Sequence, residues 1–500
     1  MWKKLWRSCY EQYWMTVAIL LPIIGGILVK VIPFPNQKIM KIYLECVMVV
    51  TSLLVFLLAW NRPEGTLEVV HFMQGLSISF RIDGMSMVFS VLIAVLWPLA
   101  MLYSFEYMER EQHQRVFFLF YSVTYGVTLG IAYASDMLSM YFFYELLTLV
   151  TVPLIMHSLS RQAIHATRKY LYYSLGGAAF ALIGIVFLMV YGSQLDFVLG
   201  GVLDLAKAEE KKQVLLVVYL IACLGFGVKA AMFPMGSWLP DAGVAPTPVT
   251  ALLHAVAVVK AGVFAIIRLT YYSFGTDFLR GTWVQAVVMA LAMFSVVYGC
   301  TRAVMERHIK RRLAYSTISN LSYIIFSAMI MTPLGLVGAL THMVCHAVMK
   351  ICSFLCAGAI MHQTGKTFID DLNGYAKKMP VVFGCFLVSA LGLMGVPGLA
   401  GFISKWNIAQ AAVDSGRVQA YLGIGCLLIS AFLTSIYMMS IVFRAYFPGK
   451  EFHYEELGEI RDPSWRMCVP LVLFAAGVAG LGLGSAPLVR FFTDVANGLY

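Results

Sequence analysis

The chain has 500 residues, of which 60% are hydrophobic and only 12% are charged. A soluble protein of this length needs far more charge to cover its surface, so the composition excludes a soluble globular protein. The formal net charge is +10, but the basic residues lie in short loops between apolar runs, and we therefore expect no nucleic-acid partner. Many runs reach the ~20 residues that a helix needs to cross the bilayer. The sequence predicts an all-α polytopic membrane protein, because helices satisfy their own backbone groups in lipid.

Fourteen apolar segments are predicted to cross the membrane as helices. In chain order they are 13–32, 39–60, 84–105, 115–134, 136–158, 168–192, 213–240, 247–272, 283–303, 310–331, 334–361, 380–411, 418–447 and 466–490. The first segment has no convincing small-residue cleavage site after it, so we expect no cleavable signal peptide. The ten cysteines lie mostly inside apolar runs and predict no disulfide framework.

The basic residues are concentrated in the loops that follow odd-numbered segments. Those loops contain Lys38, Lys41, Arg110, Arg115, Arg161, Arg168, Lys169, Arg302, Arg307, Lys310, Arg311, Arg312, Lys366, Lys377, Lys378, Arg444, Lys450, Arg461 and Arg466. The opposite side has fewer, including Lys3, Lys4 and Arg7. Cytoplasmic loops are enriched in Lys and Arg, so we expect these loops to face the cytoplasm and both termini to lie outside the cell (inner) membrane.

Proline interrupts two of the segments. Segment 7 contains Pro234 and Pro240, and segment 12 contains Pro397 between glycines. A proline inside a helix leaves a carbonyl free, which lipid tolerates only where that carbonyl faces protein or water. Broken helices at corresponding positions of two halves are typical of an ion site between inverted repeats. The two breaks lie five segments apart, the offset that an inverted five-helix repeat would give.

Charged residues lie deep inside five of the segments. They are Glu145, Lys229, Lys260, Lys350 and Lys405. A charge at a helix centre costs roughly 2.5–3.5 kcal/mol on insertion scales, so intramembrane charges are commonly functional. The simpler alternative is that each reaches the membrane interface from near a helix end. That alternative suits Lys405 best, because it is closest to a helix end.

Glu145 and Lys229 are predicted to form a switch. Desolvation lowers the pKa of a lysine towards neutrality, and a nearby carboxylate raises it again. A pair that closes and opens would therefore hold a proton and then release it. Asp83 and Asp241 precede or end helical segments and are expected to be cap or turn residues.

Histidines extend the row of ionisable groups. His342, His346 and Lys350 are spaced i, i+4 and i+8, so they share one helix face. His254 lies six residues before Lys260, about 9 Å along a helix axis. A lone membrane histidine is more often a packing residue, but two histidines and a lysine on one stripe favour a proton relay. The rival is a metal site at His342 and His346, which would need a third ligand; we expect no metal.

The residues around Lys229 and Lys260 resemble the signature of proton-translocating antiporter-like subunits, which occur in respiratory complex I, Mrp-type cation/proton antiporters and membrane-bound hydrogenases. The signature comprises KAAMFP at 229–234, WLPDAGVAPTPV at 238–249, LH at 253–254 and VKAGV at 259–263. Further matches are Tyr144-Glu145, the His342/His346/Lys350 stripe, GVP at 395–397 and GFISK at 401–405. The resemblance covers segments 3 to 13.

This resemblance implies a single transmembrane domain over 1–500. Its parts would be N-terminal helices at 1–112, inverted repeats at 113–272 and 283–447, and a last helix at 466–490. It also implies a role for each ionisable group. Glu145 and Lys229 would be the switch, Lys260, His254, His342, His346 and Lys350 the relay, and Lys405 the distal gate.

Two features narrow the expected relatives. Some complex I members carry glutamate where this chain has Lys405, and the largest member continues beyond the point where this chain ends at Tyr500. We therefore expect the D-type Mrp subunit, or subunits of hydrogenase and ferredoxin-linked complexes, to be most similar.

The predicted function is proton translocation within a larger membrane complex that contains further antiporter-like subunits. Redox chemistry or a cation gradient in those partners would supply the drive, because no cofactor motif occurs here and we expect no cofactor in this subunit. Two alternatives remain: a secondary Na⁺/H⁺ exchanger, and a scaffold that has lost conduction.

Overall fold

The structure, a computed structural model, describes residues 2–73, 76–449 and 452–499. Those ranges are mostly helical and contain one small sheet. Lys450 and Tyr500, which entered the sequence argument, lie outside the described residues.

The N-terminal part contains three helices and a hairpin. They are α1 (Trp2–Val31), α2 (Gln37–Asn61), β1 (Leu67–Met73), β2 (Leu76–Phe80) and α3 (Gly84–Tyr107). The strands pair antiparallel, with Leu67 opposite Phe80. The hairpin was not predicted, because a search for long apolar helices passes over short strands. Asp83 caps α3 as predicted, its carboxylate accepting from the Ser86 amide at 2.8 Å.

The next part contains the first broken helix. Its helices are α4 (Gln114–Tyr133), α5 (Met137–Ile155), α6 (Arg161–Tyr191), α7 (Leu205–Glu210), α8 (Lys212–Lys229), α9 (Trp238–Asp241), α10 (Thr247–Ala255) and α11 (Val258–Ile267). The predicted interruption of segment 7 is confirmed, because α8 ends at Lys229 and only the short α9 follows.

The prediction of one continuous helix over 247–272 is wrong. The backbone leaves helical geometry at Val256, and the amides of Val256 and Ala257 both donate to the Leu252 carbonyl at 2.9 Å. One carbonyl thus accepts hydrogen bonds from two amides. The helix resumes as α11 at Val258, and a π-helical turn follows at Arg268–Phe274. β-Branched residues around the break favour helix less strongly than unbranched ones.

The C-terminal half contains the second broken helix. Its helices are α12 (Thr276–Leu279), α13 (Trp283–Met305), α14 (Ile309–Met329), α15 (Pro333–Thr364), α16 (Pro380–Met394), α17 (Ala400–Asp414), α18 (Val418–Tyr446), α19 (Trp465–Leu483) and α20 (Ala486–Ala496). The predicted break in segment 12 is confirmed between α16 and α17, where Gly395 and Gly398 have φ of 94° and 88°. One helix over 466–490 is wrong, since α19 ends at Leu483, just before Gly484.

The all-α polytopic fold is confirmed, and the described residues include twelve helical spans long and apolar enough to cross a membrane, one of which is the interrupted span Thr247–Phe274. The two predicted segments outside that set are those at α14, which carries basic residues and many hydroxyls, and at α16, which has 15 residues. The number fourteen therefore stays a prediction. So do the boundaries of the parts at 1–112, 113–272, 283–447 and 466–490.

The core of the molecule lies around α15. This helix packs against α10, α14, α16, α17 and α19, and its membrane-spanning window is wholly buried, as is that of residues 247–274. Side chains on these helices are therefore surrounded by protein rather than by lipid.

Candidate functional site

The pair Glu145–Lys229 forms as predicted. Lys229, the last residue of α8, has its Nζ 3.5 Å from Glu145 Oε1 on α5. Lys229 is 1% exposed and Glu145 22%. The amine also donates to the Tyr144 carbonyl and lies 3.4 Å from the centre of the Tyr144 ring. Because 3.5 Å is longer than a normal hydrogen bond, the two charges are paired without being locked together.

Lys260 and His346 are in direct contact. Lys260 Nζ lies 2.7 Å from His346 Nδ1, and both side chains are fully buried. Lys260 stands in the first turn of α11, directly after the break that the sequence did not predict. The contact joins α11 to α15 through two titratable groups, an arrangement in which one proton can be shared.

The histidine stripe continues from this contact towards the second broken helix. The rings of His342 and His346 stack with centroids 5.8 Å apart and an interplanar angle of 18°. His342 Nδ1 lies 2.9 Å from Ser404 Oγ, and Ser404 directly precedes Lys405. The stripe thus connects Lys260 with α17.

Lys350 and His254, two further predicted members of the relay, contact groups outside the histidine stripe. The Lys350 amine donates to the Leu313 carbonyl at 3.0 Å and to Ser316 Oγ at 2.8 Å, both on α14. His254 stacks on Phe354 with ring centroids 4.6 Å apart, and neither of its ring nitrogens has a hydrogen-bond partner among the described residues. The structure therefore brings Lys350 to α14 and, within the part of the chain that it describes, leaves the His254 ring without a hydrogen bond.

Lys405 occupies the break between α16 and α17. Its amine donates to the carbonyls of Leu393 and Met394 at 2.8 and 3.0 Å. These are among the last carbonyls of α16, where a helix end carries partial negative charge. The amine thus points into the helix break, which does not fit the alternative that Lys405 reaches the membrane surface.

The prediction of only five deep charges is wrong, because Arg268 is also fully buried. Its guanidinium binds both oxygens of Asp83, at 2.6 and 2.7 Å. Burial acts to raise the pKa of Asp83, but the charge and hydrogen bonds of Arg268, with the Ser86 amide and Arg81, hold that pKa below its usual value. Arg268 lies four residues before the predicted end of its segment, a position from which a long basic side chain commonly reaches the membrane interface.

Lys310 and Arg312 are also buried, although the sequence placed them among the cytoplasmic loop charges. Lys310 Nζ donates to the Ala245 carbonyl at 2.9 Å. Arg312 donates to the carbonyls of Glu306 and Tyr437 at 2.7 and 2.8 Å. The carbonyls of Ala245 and Glu306 lie just beyond helix ends, where a backbone acceptor needs another donor, and these basic side chains provide it.

Asp241 was expected to be a turn or cap residue, and the structure gives it an ion pair. Its carboxylate lies 2.7 Å from Lys169 Nζ and 3.7 Å from Arg311. As for metal ligands, the described ranges contain no group of three or more His, Cys, Asp or Glu side chains that could hold an ion.

The fold and this row of buried ionisable groups define a multi-pass membrane protein with an ionisable interior. A sequence model of the family described as "NADH:quinone oxidoreductase/Mrp antiporter, TM" matches residues 134–440. A second, described as "NADH-Ubiquinone oxidoreductase (complex I), chain 5 N-terminus", matches residues 73–118. The chain belongs to the NADH:quinone oxidoreductase/Mrp antiporter family.

Curated relatives agree with this assignment. NADH-quinone oxidoreductase subunit N of Desulforudis audaxviator is 29% identical over 424 residues, which cover 82% of this chain and 83% of the relative. The chloroplastic NAD(P)H-quinone oxidoreductase chain 4 of Mesostigma viride is 24% identical over 497 residues, covering 97% and 96%.

Two solved structures have the same fold. A chain of the archaeal membrane-bound sulfane sulfur reductase matches with a TM-score of 0.83 at 22% identity, over 97% of both chains. A chain of the Mrp complex from Dietzia sp. matches with a TM-score of 0.83 at 20% identity, over 98% of both.

Proposed function

We propose that this chain is a proton-translocating antiporter-like subunit of a larger membrane complex. The observation that carries the proposal is the 2.7 Å contact between Lys260 and His346, two titratable side chains that are both fully buried. Intramembrane ionisable residues are costly and commonly mark proton relays. Membership of a family whose description names quinone oxidoreductases and Mrp antiporters supports the same function.

The geometry suggests an order of events along the row. The Glu145–Lys229 pair holds its proton while closed and releases it when the carboxylate moves away, because separation removes the charge that stabilises the ammonium. Lys260, His346 and His342 then form a row of titratable groups that leads to Ser404 on α17, the residue before Lys405. Redox chemistry or cation exchange in partner subunits supplies the drive, and this chain itself holds no cofactor.

The same proposal includes a membrane location, an orientation and partner subunits. The chain lies in the cell (inner) membrane with both termini outside, beside further antiporter-like subunits. The relatives are a subunit and a chain of quinone oxidoreductases, which supports partners of that kind.

Proton movement in sealed vesicles tests the function. The vesicles come from cells carrying Glu145→Ala or Lys229→Ala at the native locus, so that the native partners are present, and assembly is verified on a native gel. A pH-sensitive dye follows proton movement, which is driven by the redox substrate or the cation gradient that energises wild-type vesicles. Each variant should pump at least about a hundredfold more slowly, because this is the lower end of the rate contribution of one positioned proton-transfer group.

The matched control is Lys169→Ala, which removes a lysine from a partly exposed ion pair with Asp241 away from the row. It should pump like the wild type. Near-wild-type pumping by both Glu145→Ala and Lys229→Ala would end the proposal. Repeating the measurement without sodium tests the alternative function of secondary Na⁺/H⁺ exchange. Proton movement that requires sodium absolutely would favour that exchange.

A further inference from the structure

The Lys350 amine contacts α14, whereas the histidine stripe of the same helix contacts Lys260 on α11. His346, four residues earlier, has its Nδ1 on Lys260, whereas the Lys350 amine reaches Ser316 Oγ and the Leu313 carbonyl on α14. Of these two partners, Ser316 alone carries a hydroxyl that can both accept and give a proton. A proton that leaves Lys350 in this arrangement therefore passes to Ser316.

Further hydroxyls continue from Ser316. Its Oγ lies 2.7 Å from Tyr437 Oη on α18, and Tyr437 Oη donates to Thr434 Oγ1 at 3.1 Å. Ser316, Tyr437 and Thr434 are all at most 2% exposed. The donors can point in one direction throughout, from Lys350 to Ser316, then to Tyr437, then to Thr434.

The row then reaches a cluster where three helices meet. Cys300 Sγ on α13 lies 3.8 Å from Thr434 Oγ1 and 2.8 Å from Ser430 Oγ on α18. The same sulfur lies 3.1 Å from Ser319 Oγ on α14, and Ser319 lies 3.3 Å from Ser430. Cys300, Ser319 and Ser430 are fully buried, so the cluster is separated from lipid.

The far side of the cluster faces Lys405. Tyr323, also buried, lies one helical turn after Ser319 on α14, and its hydroxyl has no hydrogen bond to any described residue. The Lys405 amine lies 5.8 Å from the centre of the Tyr323 ring. Tyr323 therefore connects α14, which carries Ser319, with Lys405.

We propose that Lys350 passes its proton to Lys405 along this hydroxyl row and not through the histidines. The hydroxyl row is defined as Ser316, Tyr437, Thr434, Cys300, Ser430, Ser319 and Tyr323. The inference deepens the proposed function and rests on it. The histidine stripe from Lys260 ends at Ser404 on α17, whereas only the hydroxyl row delivers the proton to Lys405.

The transfer balances without oxidation or reduction. The Lys350 ammonium gives one proton to Ser316 while each group of the hydroxyl row gives its own proton to the next, so every hydroxyl and the thiol end neutral. Lys405, starting as a free amine, takes the last proton from Tyr323 and becomes an ammonium. Its amine must first swing from the Leu393 and Met394 carbonyls towards Tyr323, and that swing acts as the gate.

Proton movement in vesicles with the native partners tests the hydroxyl row. Tyr437→Phe removes one hydroxyl and keeps the ring, and Thr434→Val keeps the shape of the side chain without its hydroxyl. Each should slow proton movement at least about tenfold. Thr434→Ser, which retains the hydroxyl, should keep most of the wild-type rate. Because the groups act in series, the double variant Tyr437→Phe/Thr434→Val should be no slower than the slower single variant.

Tyr103→Phe is the matched control, because Tyr103 is equally buried and its hydroxyl donates to the Leu355 carbonyl of α15 at 2.7 Å, outside the row. It should pump normally. Wild-type rates in Tyr437→Phe and Thr434→Val would overturn the inference while the proposed function stands, provided that Lys350→Met is inactive. If Thr434→Ser fails as badly as Thr434→Val, the position matters for packing and the inference also falls. Wild-type pumping by Lys350→Met would overturn the inference as well, because no proton would then pass through Lys350.

Discussion

The buried guanidinium of Arg268 is neutralised by Asp83, the residue that also caps α3. Removing one partner of a buried ion pair leaves the other charge without compensation and costs about 3–5 kcal/mol. Arg268→Met should therefore lower the thermal stability of the purified complex markedly. A thiol-reactive dye can follow unfolding, because cysteines such as Cys223 and Cys352 are free and buried.

The double variant Arg268→Met/Asp83→Asn is the control, since it removes both charges and should recover part of the lost stability. Acid provides a second check. The pKa of Asp83 is lowered in the folded protein, so the pair stabilises the fold fully above the ordinary aspartate pKa of about 3.9 and loses that effect as the pH falls through the lowered value. A wild-type and an Arg268→Met protein with equal stability at neutral pH would show that the pair contributes nothing.

Sequence spacing could not predict the direction in which a long side chain extends. The i, i+4, i+8 spacing puts His342, His346 and Lys350 on one face of α15, and the two histidines do stack. The four methylenes of Lys350, however, let its amine reach across to α14. Spacing fixes the position of Cβ, whereas the packing of neighbouring helices decides where the charge ends.

At the scale of elements, the breaks that carry proline or glycine were predictable and the third was not. Pro234 and Pro397 mark the interruptions after α8 and α16 in the sequence itself. The break between α10 and α11 falls at Val256 and Ala257, which have no such signal. The β-branched residues near it weaken a helix only slightly, so the position of this break could not be predicted from the local sequence.

The helix break at Lys405 offers a test at this scale. Gly395 has φ of 94°, and a Cβ there would lie 3.2 Å from Lys405 Cδ. Gly395→Ala should cost about 1–3 kcal/mol of stability, because a side chain rarely adopts this conformation. It should also slow proton movement by displacing the lysine, as measured in the same vesicles and by the same dye.

Gly384→Ala is the matched control, since Gly384 lies inside the same helix, α16, and a Cβ there would meet nothing within 4 Å. It should keep both stability and proton movement, because alanine favours a helix interior over glycine. A Gly395→Ala protein indistinguishable from Gly384→Ala would contradict the role given to the break.

At the scale of the whole molecule, the orientation rests on loop charges. Two of the basic residues counted on the cytoplasmic side, Lys310 and Arg312, are buried and bind backbone carbonyls. They are therefore no evidence for orientation, since the positive-inside rule concerns charges in loops. Most of the remaining basic residues still favour the same side.

Labelling from one side of the membrane decides the orientation. Arg307→Cys places a thiol in the exposed loop between α13 and α14, and Lys211→Cys places one between α7 and α8. A membrane-impermeant maleimide should label Arg307→Cys above the parent chain only in inside-out vesicles, and Lys211→Cys only in right-side-out vesicles. The opposite pattern would show that the protein has the opposite orientation in the membrane. The direction of the proton path from Lys229 to Lys405 relative to the cytoplasm would then be reversed. Labelling of both variants from one side would contradict the helix count between them, because residues 211 and 307 are expected to be separated by three crossings, those of segments 7, 8 and 9.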